Sequence, residues 1–175
     1  PSTSYIGELV ESSSQLVLHS PSVVLKTLVG MQGAGVELCE GKAIALNKLE
    51  TLKQAGEKAL VQDFIAETRG QDIRAFVIGK QVVAGMQRTA GNGNFRANLH
   101  QGGKAESIDL TEEEKMIAIQ ATKAIGLDVA GVDLIRTNQG PMILEVNASP
   151  GLEGIEKVSG KDIAGMMVDY VLPCM

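Results

Sequence analysis

Asp133, Glu145 and Asn147 have the types and spacing to hold a hard metal ion. They lie in the segment 129–151, VAGVDLIRTNQGPMILEVNASPG. Residues 131–136 and 141–147 are two apolar-rich runs joined across Thr137, Asn138, Gln139, Gly140 and Pro141, which is turn chemistry. A β-hairpin is therefore expected. Side chains two apart on a strand share a face, so Glu145 and Asn147 fall together, with Met142, Leu144 and Val146 opposite. On the first strand Asp133 shares its face with Gly131 and Ile135. A loop of 138–140 puts Asp133 directly across from Glu145, with Cβ atoms roughly 4.5–5.5 Å apart. Two carboxylates that close repel unless a cation lies between them. The amide oxygen of Asn147 completes an all-oxygen donor set, which suits Mg²⁺ better than Zn²⁺. The alternative is a pair of solvated hairpin carboxylates beside a turn asparagine.

Composition bounds what surrounds these residues. The chain has 175 residues, 44% of them hydrophobic and 21% charged, which describes a globular protein able to bury one full core or two small lobes. A net charge of −5 gives no basic footprint for nucleic acid. With no Trp, three Phe and two Tyr, base-stacking surfaces are not expected either. No apolar run reaches the length of a membrane span and no signal-peptide pattern opens the chain, so a cytoplasmic location is expected. Cys39 and Cys174 stand in no CxxC and are expected as reduced thiols.

Other stretches could serve a ligand. Residues 23–28 read as a buried strand carrying Lys26, followed by the Gly-rich 30–36. A strand lysine beside such a loop can serve a phosphate site, although the GK[ST] end of a Walker A is missing and a plain flexible loop remains open. Residues 59–65 read as a strand that is apolar first and polar last, as where a strand opens onto a cleft. Residues 73–78 and 82–87 form an expected hairpin around 79–81, with Asp72 and Arg74 at its entrance and Arg88 at its exit. In the Gly- and Asn-rich 91–103, Arg96, Asn98 and His100 alternate, which suits oxygen-rich ligands if the segment is extended. A solvated surface loop is the other reading.

The remaining elements are scaffold. Residues 42–55 have helical character with Ile44, Ala45, Leu49 and Leu52. Thr111 and Glu114 form a capping box for a helix over 111–125 with Ile117, Ala121, Ala124 and Ile125 inward, ended by Gly126. Asp162 can cap a last helix whose inner face is Ile163, Met166, Met167, Tyr170 and Val171. Near the start, Tyr5, Ile6, Leu9 and Val10 are expected on a short helical face and 16–18 in a short strand.

Taken in order, these motifs resemble a known family. Lys26, the Gly-rich loop, Gln62-Asp63-Phe64-Ile65, Asp72-Ile73-Arg74, 95–103 (FRANLHQGG), Asp133 and 145–151 (EVNASPG) resemble the ATP-grasp carboxylate–amine ligases, and within them the RimK type. The resemblance covers about residues 21–170. It implies an α+β class with an ATP-grasp fold, an antiparallel sheet packed with helices, whose N-terminal part is missing here. It divides the chain into an unassigned 1–20, a smaller subdomain with the lid at 21–60, and a C-terminal subdomain at 61–175.

The resemblance also implies roles. Lys26 would touch nucleotide phosphates beneath a 30–36 lid. Gln62, Asp63 and Phe64 would form the adenine segment, with Glu commoner than Asp at position 63. Asp72 would bind the ribose. Arg96, Ala97 and Asn98 would line the triphosphate side, with Arg96 stabilising the acylphosphate and Arg88 taking a substrate carboxylate. Asp133, Glu145 and Asn147 would hold two Mg²⁺ or Mn²⁺, Glu145 bridging them.

The implied reaction is ATP-dependent joining of a carboxylate to an amino-acid amine, with glutamate added to a ribosomal protein C-terminus as the leading case. Another small-molecule or carrier-protein acceptor is an alternative, and a truncated, non-catalytic nucleotide-binding module is a third reading. Strands without their N-terminal neighbours also allow a homo-oligomer.

Overall fold

The computed structural model describes residues 3–6, 20–28, 35–68, 70–91 and 102–172. The chain forms two compact units, Pro1–Ala66 and Glu67–Met175.

The first unit is a four-stranded antiparallel sheet with one helix. Its strands are β1 (Thr3–Ile6), β2 (Ser22–Thr27), β3 (Val36–Glu40) and β4 (Ala59–Asp63), in the order β1-β4-β2-β3. Helix α1 (Lys42–Gln54) lays Ala45 and Leu49 against Val23, Leu25, Cys39 and Val61, with Leu52 at the margin. Ile44, another apolar residue of this helix, is 58% exposed, because one step of a 3.6-residue helix turns it away from Ala45. Tyr5 and Ile6, expected on a helical face, lie instead in β1, where they pair with Leu60 and Ala59. β4 would otherwise present an open edge of unpaired backbone groups, and a four-residue strand covers it. Leu9, Val10 and 16–18 lie outside the described residues.

The second unit is a five-stranded antiparallel sheet with three helices. The strands are β5 (Gln71–Ile78), β6 (Gln81–Thr89), β7 (Lys104–Ser107), β8 (Val129–Thr137) and β9 (Gly140–Asn147), in the order β7-β6-β5-β8-β9. The two-residue period sorts their side chains. Ile73, Ala75, Val77, Val132 and Leu134 form one core with Leu110 and with Ala118 of α2 (Glu112–Ala124). Phe76, Ile78, Ala84 and Met86 form another with Ile155 of α3 (Glu153–Ser159) and Ile163 of α4 (Ile163–Val171). One helix thus covers one face of the sheet, and two helices cover part of the other.

The capping box of α2 forms as expected: Glu114 N donates to Thr111 Oγ1 and Thr111 N donates to Glu114 Oε2. Its inner face differs from the expected one. Glu114, Ala118 and Thr122 are buried, Ile117 and Ala121 are partly buried, and Ala124 and Ile125 are exposed. The polar groups inside are satisfied. Thr122 Oγ1 donates to Ala118 O at 2.9 Å, and Glu114 accepts from Arg136 Nε at 2.6 Å and Nη2 at 3.0 Å. On α4, Asp162 caps Gly165 N as expected, but only Ile163 and Met167 meet the core. Met166, Tyr170 and Val171 are exposed; Tyr170 lies over Gly79, and its hydroxyl donates to Asp128 Oδ1.

Candidate functional site

β8 and β9 form the expected hairpin, and Asp133 pairs with Glu145. The route to that register differs from the expected loop. Thr137 pairs with Gly140 around a two-residue turn, Asn138-Gln139, and Leu134 pairs with Ile143. A bulge at Leu144 then shifts the register by one, so Val132 meets Val146 and Gly131 meets Asn147. The bulge also changes which apolar side chains share a face. Ile143 and Val146 join the core under α2, in place of the expected set of Met142, Leu144 and Val146. Turn chemistry holds the hairpin tip. Thr137 Oγ1 donates to Gly140 O, and Gly140 has φ of 102°. Glu67 accepts from the backbone and side-chain nitrogens of Asn138, tying the 3-10 turn Ala66–Thr68 to the tip.

Strand register gathers three more charged groups around Asp133 of this pair. Arg74 on β5 is flanked by Asp133 on β8, and Asp72 on β5 is flanked by Arg88 on β6. Arg74 donates from Nε to Asp133 Oδ1 and from Nη2 to Oδ2, both at 2.8 Å. Arg88 donates to Asp72 Oδ1 from Nε at 2.6 Å and to Oδ2 from Nη2 at 2.8 Å, and the same Nη2 reaches Asp133 Oδ2 at 2.8 Å. Two guanidiniums face two carboxylates, so the set is neutral. It is also largely dry, with side-chain exposures of 14% for Arg74, 12% for Arg88, 15% for Asp72 and 4% for Asp133.

Burial and pairing compete in setting their protonation. Burial pushes Asp133 up, but the hydrogen bonds and charges of Arg74 and Arg88 outweigh it and hold this carboxyl below its ordinary range. At Asp72 burial prevails over Arg88, and its pKa rises to about 6. For Arg88 burial disfavours the cation, but Asp133 and Asp72 outweigh it and raise the pKa. In the sequence Arg74 stands at a hairpin entrance and in the Asp72-Ile73-Arg74 motif, with no role assigned to it. Its alternation with Asp72 on one strand was the available signal, but its pairing with Asp133 needs the β5–β8 register across 59 residues.

The segment after β9 folds back over the same face. Asn147 Nδ2 donates to Gly131 O at 3.3 Å and to Glu145 Oε1 at 3.2 Å. Gly131 leaves room for the turn, since a Cβ there would lie 2.6 Å from Pro150 Cβ and 3.5 Å from Arg74 Cδ. Glu145 is exposed and Asn147 half-buried, so the site opens outward from the buried Asp133.

In the first unit, Lys26 lies on β2 between Val36 of β3 and Leu60 of β4. Gln62 is buried on β4 opposite Val24, and Asp63 ends that strand opposite Val23. The Phe64 amide donates to Ser22 O at 3.1 Å, so any base that used this amide would have to displace that bond. Arg96, Ala97, Asn98, His100, Cys174 and 30–34 of the expected lid lie outside the described residues.

A family model described as the RimK-like ATP-grasp domain matches residues 4–171. The chain belongs to this family. The RimK-like chain is 56% identical over 171 residues to a probable alpha-L-glutamate ligase of Haemophilus influenzae (strain Rd), covering 98% of this chain and 57% of that protein. It is 52% identical over 172 residues to a probable alpha-L-glutamate ligase of Haemophilus ducreyi, covering 98% of this chain and 56% of the relative. The chain therefore spans little more than half the length of these curated relatives. Among solved structures, the ATP-grasp ligase PsnB complexed with a minimal precursor superposes with a TM-score of 0.73 at 25% identity, covering 99% of this chain and 54% of PsnB. D-alanine–D-alanine ligase from Bacillus anthracis reaches 0.69 at 18% identity over 99% of this chain and 60% of its own, a likeness of fold alone. The fold is thus ATP-grasp, in the mixed antiparallel form expected.

Among the described residues no three His, Cys, Asp or Glu side chains cluster as a metal site. A cation at this position would rest on two carboxylates and one amide oxygen, and the donor chemistry fits a hard divalent ion. Asn147 spends its nitrogen on Gly131 and Glu145, leaving the amide oxygen as a ligand. Asp133 Oδ2 accepts two hydrogen bonds and Oδ1 only one. A carboxylate oxygen has two lone-pair sites, so Oδ1 retains an acceptor position without loss of either arginine.

Proposed function

We propose that the chain is the nucleotide- and metal-binding part of an ATP-dependent carboxylate–amine ligase with L-glutamate as the amine. The single observation that carries this reading is Asp133 paired with Glu145, two residues before Asn147, on a RimK-like sheet. The names of the Haemophilus relatives support glutamate.

The chemistry needs no side-chain nucleophile. An acceptor carboxylate oxygen attacks the γ-phosphorus of ATP, the bond to the bridging oxygen breaks, and ADP leaves with its electron pair. The glutamate amine then attacks the acyl carbon of the resulting acylphosphate, phosphate departs, and the amine proton passes to solvent. Phosphoryl transfer of this kind depends on positioning and charge stabilisation.

Asp133, Glu145 and Asn147 would hold two Mg²⁺ or Mn²⁺, which when bound supply charge neutralisation to the phosphates. Lys26 offers its ammonium to phosphate oxygens, and the segment of Gln62, Asp63 and Phe64 offers polar groups to adenine. Each Asp72 oxygen carries one hydrogen bond from Arg88 and retains a lone pair for a ribose hydroxyl. Arg96 stabilises charge on the acylphosphate, flanked by Ala97 and Asn98. Arg88, earlier a candidate for a substrate carboxylate, has two protein carboxylates as partners.

The acceptor in this reading is a peptide carboxylate, with a ribosomal protein C-terminus as the specific case. The structurally similar ATP-grasp ligase PsnB binds a precursor peptide, which supports a peptide acceptor. The free, buried thiol of Cys39 and the use of ATP fit the cytoplasm.

The test is ADP release from ATP in the presence of Mg²⁺, glutamate and peptides with free or amidated C-termini. Release that needs both glutamate and a free C-terminus, and is lost in Glu145→Ala, is the expected result. Release unchanged in Glu145→Ala contradicts the assignment.

A further inference from the structure

Arg74 has no role in the chemistry just described, yet it makes a two-pronged contact to Asp133, the most buried carboxylate of the four-residue cluster. Its guanidinium fills both oxygens of a carboxylate that is 4% exposed. Stability does not explain it. A buried ion pair loses much of its attraction to desolvation, and apolar replacements of similar volume are often neutral or stabilising. Two residues along the same strand face, Phe76 packs fully buried against α3 and α4, so an apolar side chain can be accommodated on this sheet. The pairing has two physical consequences. It fixes Asp133 in one orientation across from Glu145, because a two-pronged guanidinium contact is directional. It also cancels the charge of Asp133, so Glu145 is left as the one uncompensated acid of the pair.

We propose that Arg74 is a positioning residue that holds Asp133 for metal ligation and keeps the Asp133–Glu145 pair from capturing a divalent cation before nucleotide phosphates arrive. This rests on the reading of Asp133 and Glu145 as metal ligands. In the resting protein the cation meets one net negative charge, a weak attraction for a partly solvated ion. With ATP, the phosphates supply the missing charge and oxygen ligands, so metal and nucleotide bind together. Arg74 acts through Asp133 and touches neither.

The test is Mn²⁺ binding followed by electron paramagnetic resonance of the free ion, with and without a non-hydrolysable ATP analogue, beside the thermal midpoint of each variant. In the unaltered protein, Mn²⁺ is expected to bind with the analogue and weakly without it. Arg74→Met leaves Asp133 with a share of Arg88 only, and is expected to tighten Mn²⁺ binding without nucleotide by about tenfold or more. Arg74→Lys keeps the charge and loses the two-pronged contact. It is expected to leave nucleotide-free binding unchanged and to weaken Mn²⁺ binding with the analogue by about tenfold. The Lys variant carries the test should the Met variant not fold. Mn²⁺ binding unchanged in both, or in the Lys variant alone should it be the one that folds, overturns the proposal while leaving the metal site standing. Failure of the unaltered protein to bind Mn²⁺ with the analogue overturns the metal assignment and the proposal with it.

Discussion

The two sides of β8 obey different rules. On one side Val132 and Leu134 are fully buried in an apolar core with Ile73, Ala75 and α2. On the other, Asp133 is nearly as buried but meets two arginines, and Gly131 meets Pro150. The first side is what any half-covered antiparallel strand does with its apolar residues. The second keeps four ionic groups out of water, where each ion costs several kcal/mol to desolvate and only good pairing offsets it. A strand that builds one face for stability and holds charges in fixed geometry on the other is the signature of a site supported by a scaffold.

Removing one member from each side separates these roles. Asp133→Ala leaves two guanidiniums with one carboxylate and should cost about 3–5 kcal/mol, with loss of nucleotide-dependent metal binding. Leu134→Ala should cost about 3 kcal/mol through the cavity it leaves, and metal binding should persist at temperatures where the variant is folded. Denaturant unfolding paired with Mn²⁺ titration checks both. Equal loss of metal binding in the two variants would erase the distinction between the faces.

Gly131→Ala sharpens it further. The new methyl would come within 2.6 Å of Pro150 Cβ, which is ring carbon and cannot swing aside. A cost of about 1–3 kcal/mol is expected, with weakened metal binding as the turn moves and carries Asn147. Binding at full strength would show that the turn does not set the site.

The smallest effect belongs to the α2 side. Glu114, paired to Arg136 and bonded to the Thr111 amide, has its pKa held below the ordinary 4.5. A depressed carboxylate stabilises the fold above its unfolded pKa, and that contribution is lost as pH falls below about 4.5 through the folded value. Glu114→Gln should therefore cost about 1 kcal/mol at pH 7, with the difference closing towards pH 3. Half-exposure of Arg136 keeps it small. A difference that grows on acidification would reverse the sign and refute the pairing.

The sequence revealed the hairpin, the capping box and the Asp133–Glu145 pairing, because turn residues and a two-residue period are local signals. The bulge at Leu144 was not legible, since Ile143 and Leu144 are both apolar and either could face inward. A three-residue loop and a two-residue turn with a bulge give the same register at Glu145, so the expected pairing survived a wrong turn. The Arg74–Asp133 contact was hidden for another reason: it depends on two strands meeting in one register far apart in sequence. The inner face of α2 misled because Thr122 and Glu114 satisfy their polar groups inside, which a hydrophobic pattern does not register.

The central claim is that Glu145 and its partner across the hairpin bind metal with nucleotide. Titration calorimetry with a non-hydrolysable ATP analogue, with and without Mg²⁺, beside Glu145→Ala, tests it most directly. Binding that requires Mg²⁺ and disappears in the variant is the predicted result. Mg²⁺-dependent binding of equal strength in Glu145→Ala would contradict it.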